Sequence, residues 1–301
     1  MSAGPKRYST NQAILAIIIA VFSLSLGDAI IKNSAHAMPV WQMLILRSAV
    51  TIPVLWWLAW RNGAGRFRVS RWVILRSTLL ALMWLSYYVS LSLMPLSIAA
   101  ATYYTGPLII VALAALVAGR WPNLLTSLAV AAGFLGVVLV IQPNLSDFRF
   151  ATLLPLLSAF FYAVAMIVTA QKCLDDDPFL LAMMLNVALV FTCLCLAGIA
   201  GSPGSYALGP WQEMDLALAG TVLVLALLIL IGGVGAAVAY QNGPPATIAA
   251  FDYCFLVFNI LWGALFFAEW PGSVAWIGIG LIAGAGLLAL PRKTKRTGPG
   301  S

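Results

Sequence analysis

Residues 97–100 read Ser-Ile-Ala-Ala and residues 247–250 read Thr-Ile-Ala-Ala; the apolar runs that these tetrapeptides open close on Trp121-Pro122 and Trp270-Pro271. Two matched openings and two matched exits, about 150 residues apart, mark a duplicated unit. The echo extends upstream, where Pro39 is followed eight residues later by Arg47, and Pro178 eight residues later by Asn186.

The units between these landmarks are apolar spans. Cutting the chain where Pro, Gly or charge interrupts hydrophobic runs predicts helices near 12–34, 39–60, 72–93, 96–118 and 122–142, then 149–171, 179–201, 214–241, 245–268 and 271–291. The composition agrees: 62% of the 301 residues are hydrophobic and 8% charged, far from soluble usage. At ~20 apolar residues per span, such a chain has room for about nine or ten crossings. Little is left for a folded extramembrane domain, and only closed helices satisfy their backbone groups in hydrocarbon. The net charge of +7 would raise nucleic-acid binding in a soluble protein; here it orients helices, and no nucleic-acid partner is expected.

Lys6, Arg7, Arg61, Arg66, Arg68, Arg71, Arg120, Lys172, Arg292, Lys293, Lys295 and Arg296 all fall on one side of such a bundle; Arg149 and Lys32 fall on the other. The positive-inside rule then places both termini in the cytoplasm of a multi-pass inner-membrane protein. A signal peptide is the competing account of the first span, with Lys6 and Arg7 ahead of it and Ala35-His36-Ala37 after it. The apolar run is longer than a usual signal core and carries Ser25, Asp28 and Lys32 along one side, so it reads as a retained helix.

The resulting fold is an all-α integral membrane protein of ten transmembrane helices. It comprises a cytoplasmic tail (1–11), a first five-helix repeat (12–142), a second repeat (149–291) and a basic tail (292–301). Because five is odd, the second repeat enters the membrane from the opposite side, giving inverted repeats around a central cavity, the geometry of alternating access. Ten spans, a five plus five duplication, paired S/T-I-A-A helices and W-P exits resemble the drug/metabolite transporter superfamily, EamA type, over residues 12–291. The aromatic-rich central helices are most similar to the YddG-type exporters of aromatic and other amino acids and of methyl viologen. That resemblance implies export of a small molecule by a chain acting as a monomer, without a cofactor.

Ionisable residues at membrane depth are costly and mark functional hypotheses. Arg47, roughly 12 Å along its helix from Pro39, reads as the lone central cation. It either grips a substrate carboxylate or pairs with Asp28 or backbone carbonyls. Asp28 and Lys32 are four apart, an intrahelical ion-pair spacing. Asp252 heads a polar line with Asn259 and Gly263; it is a candidate for cation attraction or proton coupling, or a partner for Arg47 across the halves. Glu269, beside Trp270-Pro271, reads as a headgroup-level residue.

The candidate substrate lining is aromatic: Trp84, Tyr87 and Tyr88 on the third span, Tyr103 ahead of Gly106-Pro107, Tyr162 on the sixth and Tyr240 ending the eighth, with Asn186 opposite Arg47 in the repeat. Tyr offers an apolar face and a hydroxyl, and aromatic faces attract ammonium groups. This combination suits a zwitterion with an apolar tail, whereas the alternative is interfacial belts and packing. Trp56, Trp57, Trp60, Trp72, Trp211 and Trp276 fit the belt.

Four cysteines, Cys173, Cys193, Cys195 and Cys254, and the single His36 form no zinc or haem spacing, and neither a metal nor a disulfide is expected. Gly280 and Gly284, flanked by Gly278 and Gly286, form a small-residue face read as packing within the bundle, with Ala129 and Gly133 as its looser counterpart. Asp177 and Pro178 read as the N-cap and first position of a helix. No P-loop, H-E-x-x-H or G-x-S-x-G is present, which leaves an enzyme without a motif. A channel would show a repeated polar pore line. The expected activity is export of aromatic and other apolar amino acids and related amphipathic amines. Each buried carboxylate has a prospective cationic partner, so facilitated diffusion is expected, the alternative being a proton-coupled antiporter.

Overall fold

The computed structural model describes residues 8–34, 38–61, 69–91, 102–119, 122–141, 153–197, 209–267 and 272–289. Among them run α1 (Thr10–Ser34), α2 (Val40–Arg61), α3 (Arg71–Leu91), α4 (Gly106–Ala118), α5 (Leu124–Ile141) and α6 (Leu153–Lys172). These are followed by α7 (Pro178–Ala197), α8 (Leu216–Asn242), α9 (Pro245–Asp252), α10 (Cys254–Phe267) and α11 (Ser273–Ala289). Six stretches are long and apolar enough to cross a membrane, one of them Pro245–Phe266 across α9 and α10, and α4, α5 and α11 hold shorter apolar helices. The motif residues 97–100, Trp121, Trp270, Pro271 and Glu269, and both charged tails, lie outside the described residues.

Polar groups start these helices where apolar sequence gives way. Ser9 and Gln12 cap α1 reciprocally, Ser9 N donating to Gln12 Oε1 (2.8 Å) and Gln12 N to Ser9 Oγ (3.3 Å). Asp177 Oδ1 accepts from Phe179 N (2.8 Å) and Leu180 N (3.2 Å) ahead of Pro178, the cap expected from the Asp-Pro pair. Asp215 caps α8 through Leu218 N at 2.7 Å. Gly119 ends α4 at φ 63°, a left-handed conformation that glycine adopts without a Cβ clash.

The surface is apolar and the interior holds the polar residues, as lipid demands. Leu216, Leu116, Leu124 and Phe191 are exposed, whereas Arg47, Arg76, Gln42, Asn186 and Asp252 are buried. Trp56, Trp57, Trp60, Trp211 and Trp276 are exposed; Trp72 is half-buried under the cationic groups of Arg71 (5.1 Å) and Lys172 (5.4 Å).

The most extensive helix contacts join α5 to α11, α1 to α8, α3 to α6 and α2 to α7; α4 packs on α6 and α9, and α1 also packs on α9 and α10. Small residues set the closest approaches. A Cβ built on Gly136 of α5 would lie 2.6 Å from Gly278 O of α11, and one on Gly235 of α8 would lie 3.0 Å from Ala16 O of α1. This corrects the reading of α11: Gly280 and Gly284 meet nothing within 4 Å, and the packing glycine is Gly278. The ninth span is also not continuous, because Tyr253 interrupts it between α9 and α10.

All four cysteines are free, Cys193 buried and Cys195 exposed on opposite faces of α7. Burial pushes the Cys173 thiol, in the α6–α7 turn, up to about 12, which removes the thiolate needed for exchange. The expected result on a nonreducing gel is a single mobility unchanged by reductant; a reductant-dependent band would overturn it.

Candidate functional site

Two broken segments organise the centre of the bundle. Ahead of α4, Thr105 N and Thr105 Oγ1 both donate to Thr102 O (3.2 and 2.7 Å), closing a turn over Tyr104 and Thr105 before Gly106. Between α9 and α10, Leu256 N donates to Tyr253 O at 3.1 Å. In the sequence, Thr102 stands five residues after Ser97 and Asp252 five after Thr247, so both interruptions follow the repeated motif at nearly the same offset. Interrupted helices at a repeat interface are where transporters place substrate and ion sites.

Asp252, the last residue of α9, is 6% exposed. Its Oδ2 accepts from the hydroxyls of Tyr162 on α6 (2.8 Å) and Tyr240 on α8. The expected alternative of an Asp252–Arg47 pair is therefore corrected: two phenols from neighbouring helices hold this carboxyl.

From Asp252 an aromatic path leads across the bundle. The Tyr162 ring lies 6.5 Å from Tyr240 and 6.1 Å from Tyr103; Tyr103 lies 5.1 Å from Tyr87 and 5.8 Å from Tyr104. Tyr87 and Trp84, three apart on α3, pack on the same Val40, Leu44 and Cys193 cluster. The Arg47 guanidinium carbon stands 5.8 Å from the Trp84 ring centroid, a cation–π contact. A buried cation and a buried carboxyl are thus joined by offset aromatic rings contributed by three helices and the turn before α4.

At the Arg47 end a narrow crevice of about 10 Å³, the size of a water, is lined by Ser23, Gly27, Asp28, Arg47, Trp84 and Leu225, with other apolar side chains of α1 and α8. Asn186, eight residues after Pro178 as Arg47 is after Pro39, is buried between α7 and α2: Asn186 Oδ1 accepts from Ser48 Oγ (3.0 Å) while Nδ2 donates to Ala182 O (2.9 Å). The side chains of Lys32 and Tyr88 lie outside the described residues. Asn259 and Gly263 are half-buried on α10.

Arg47 is not the lone interior cation. Arg76, 1% exposed on α3, donates through Nε to Thr169 Oγ1 (2.7 Å) and through Nη1 to Leu181 O (3.1 Å), tying α3 to α6 and α7. Its position, five residues after Arg71, is where charge usually remains near the interface, so the sequence alone gave no signal for its burial. Next to it, Gln241 Nε2 donates to Cys173 O and to Asp176 O (2.8 Å), linking the end of α8 to the α6–α7 turn. Burial raises the Asp176 carboxyl above its ordinary range there. Tyr104 and Tyr253, both buried with ring centroids 6.4 Å apart, join the two interruptions and were not singled out by spacing.

Among the described residues no group of three or more His, Cys, Asp or Glu could hold a metal. Residues 11–142 match the EamA-like transporter family. The chain is similar to the pseudopaline exporter CntI of Pseudomonas aeruginosa (strain UCBPP-PA14), at 24% identity over 292 residues, covering 95% of this chain and 98% of that protein. It is also similar to the riboflavin transporter of Rhizobium johnstonii, 29% identical over 211 residues, covering 70% of this chain and 67% of that protein. A solved crystal structure shares the fold with a TM-score of 0.75 at 19% identity, covering 94% of this chain and 97% of its own. By these matches the chain resembles the drug/metabolite transporter superfamily, EamA type, and is a multi-pass membrane transporter.

Proposed function

We propose that this transporter exports aromatic and other apolar amino acids and related amphipathic amines by alternating access between two inverted five-helix halves. The observation that carries the substrate class is the aromatic path between Arg47 and Asp252. The Arg47 guanidinium suits a carboxylate, and the tilted rings that lead away from it suit an ammonium at their faces and an apolar or aromatic side chain between them.

Helix packing supports the inverted halves. Shifting each helix by one repeat exchanges α1 with α6, α2 with α7, α3 with α8, α4 with the α9–α10 pair, and α5 with α11. Under that exchange the α1–α8 contact becomes α6–α3, α2–α8 becomes α7–α3, and α4–α6 becomes the packing of α9 and α10 on α1. The α2–α7 and α5–α11 contacts map onto themselves. Main contacts that recur under that exchange are what a pseudo-two-fold axis produces, and exchanging the conformations of the halves then turns the cavity from one side to the other.

Counterflow in proteoliposomes loaded with a panel of amino acids tests this reading. Saturable exchange, strongest for aromatic members, is expected, and Tyr103→Ala should raise the half-saturating concentration about tenfold by removing the central ring of the path. Absence of exchange for every amino acid would overturn the substrate class, and flux that does not saturate would favour a channel.

A further inference from the structure

The surroundings of the Asp252 carboxyl bear on how transport is driven, an inference that rests on the transport reading. Two phenol hydroxyls converge on Oδ2, while Oδ1 is buried with no hydrogen-bond partner among the described residues. Among the described residues, few charged groups surround it. Helices α4, α5 and α11 pack on or near α9 and contain no charged residue, and α8 contributes Tyr240 and no charge. From α6 come Tyr162 and, ten residues on and so roughly 15 Å along the helix, the exposed Lys172. The part of α1 near α9 is marked by Ala13, in reach of Gly243, and its ionisable Asp28 and Lys32 begin roughly 22 Å farther along. Beside Asp252 in the chain stand Tyr253 and Cys254, and Tyr103 and Tyr104 precede α4; these are neutral at ordinary pH.

A buried carboxylate without a cationic partner is expensive, and such a group is neutralised rather than left charged. Divalent ions demand a shell of several oxygens, and no cluster of acidic, His or Cys residues surrounds this site among the described residues. The smallest neutralising cation, a proton on Oδ1, needs none. The expectation of facilitated diffusion drew on a cationic partner for each carboxylate, and for Asp252 that partner is replaced by two phenols.

We propose that Asp252 is a proton-carrying site that couples export to the counter-movement of one proton. On one side of the cycle the Oδ1–H bond breaks, the proton passes to water, and the carboxylate is held by the Tyr162 and Tyr240 hydroxyls. On the other side water delivers a proton and the bond reforms. Coupling runs through Tyr162, whose hydroxyl serves Asp252 while its ring packs on Tyr103 of the substrate path. A substrate side chain that separates those rings moves the donor that stabilises the charged form. The repeat counterpart of Asp252 is Thr102, which does not titrate, so one proton per cycle is the stoichiometry.

Two measurements on the full-length protein test this. Infrared titration without substrate should show a carboxyl C=O band that disappears as pH rises and is absent in Asp252→Asn. In Tyr162→Phe, one donor to the charged form is lost, and the band should persist to a pH about one to two units higher. In proteoliposomes with L-tryptophan as probe, an imposed proton gradient should drive accumulation in wild type and should not drive it in Asp252→Asn. A band unchanged in Asp252→Asn, accumulation undiminished in that variant, or a band that follows sodium at fixed pH would each overturn the proton site. If no tryptophan moves at all, the substrate reading fails and the infrared titration still decides the site; Tyr162→Phe serves if Asp252→Asn does not fold.

Discussion

Arg47→Gln is expected to lower the apparent affinity for L-tryptophan about 10- to 100-fold, the range for losing a charge-assisted, two-pronged contact to a carboxylate. Arg47 is 3% exposed on α2, its guanidinium lies against Trp84, and it lines the crevice shared with Asp28. Two roles fit that position, grip on a substrate carboxylate and compensation of Asp28, and they separate experimentally. If Arg47 grips the carboxylate, tryptamine, which lacks one, should be handled almost alike by wild type and Arg47→Gln. If Arg47 chiefly compensates Asp28, both compounds should fall together, and adding Asp28→Asn should restore them because no buried charge is then left unpaired. Arg47→Lys keeps the charge and loses the planar fork, so it should fall between wild type and Arg47→Gln for tryptophan. Initial rates against concentration for the two compounds check all three outcomes.

How much of this was legible in the sequence follows from the range of each interaction. Hydropathy is a local property, and the helices of the described residues fall within the predicted spans to within a few residues at most ends. The Asp177 cap and the exposed tryptophans are equally local, set by neighbouring residues and by distance from a helix end. The interruption at Tyr253 was missed because neither Pro nor Gly marks it; it is signalled only by alignment with the turn over Tyr104 and Thr105, which Gly106-Pro107 does mark. The meeting of Tyr162, Tyr240 and Asp252 required knowing how three helices rotate against one another. Hydropathy cannot supply that, because α8 is apolar on every face. Arg76 was hidden for a related reason: its compensation comes from Thr169 and the Leu181 carbonyl on two other helices. The aromatic residues could be named from the sequence, but their order from Arg47 to Asp252 could not.

Gly136→Val should be the most damaging substitution in the apolar frame, costing about 3 kcal/mol or more. A Cβ at Gly136 would lie 2.6 Å from Gly278 O and 2.8 Å from a side-chain carbon of Ile282. The carbonyl belongs to helical backbone and cannot rotate away, so α5 and α11 would have to separate along the most extensive helix contact of the described residues. Gly280→Val is the matched control, because a Cβ there meets nothing within 4 Å although the G-x-x-x-G spacing of Gly280 and Gly284 is the stronger sequence signal. The expected result is loss of a monodisperse peak and a lowered thermal midpoint for Gly136→Val in detergent, with Gly280→Val close to wild type. The opposite ranking would mean that Gly280 and Gly284 form a contact with a second copy and that α5 and α11 tolerate separation. Equal damage from both would place close packing on two faces of α11. The comparison isolates geometry from composition, since both variants add the same side chain to an apolar helix.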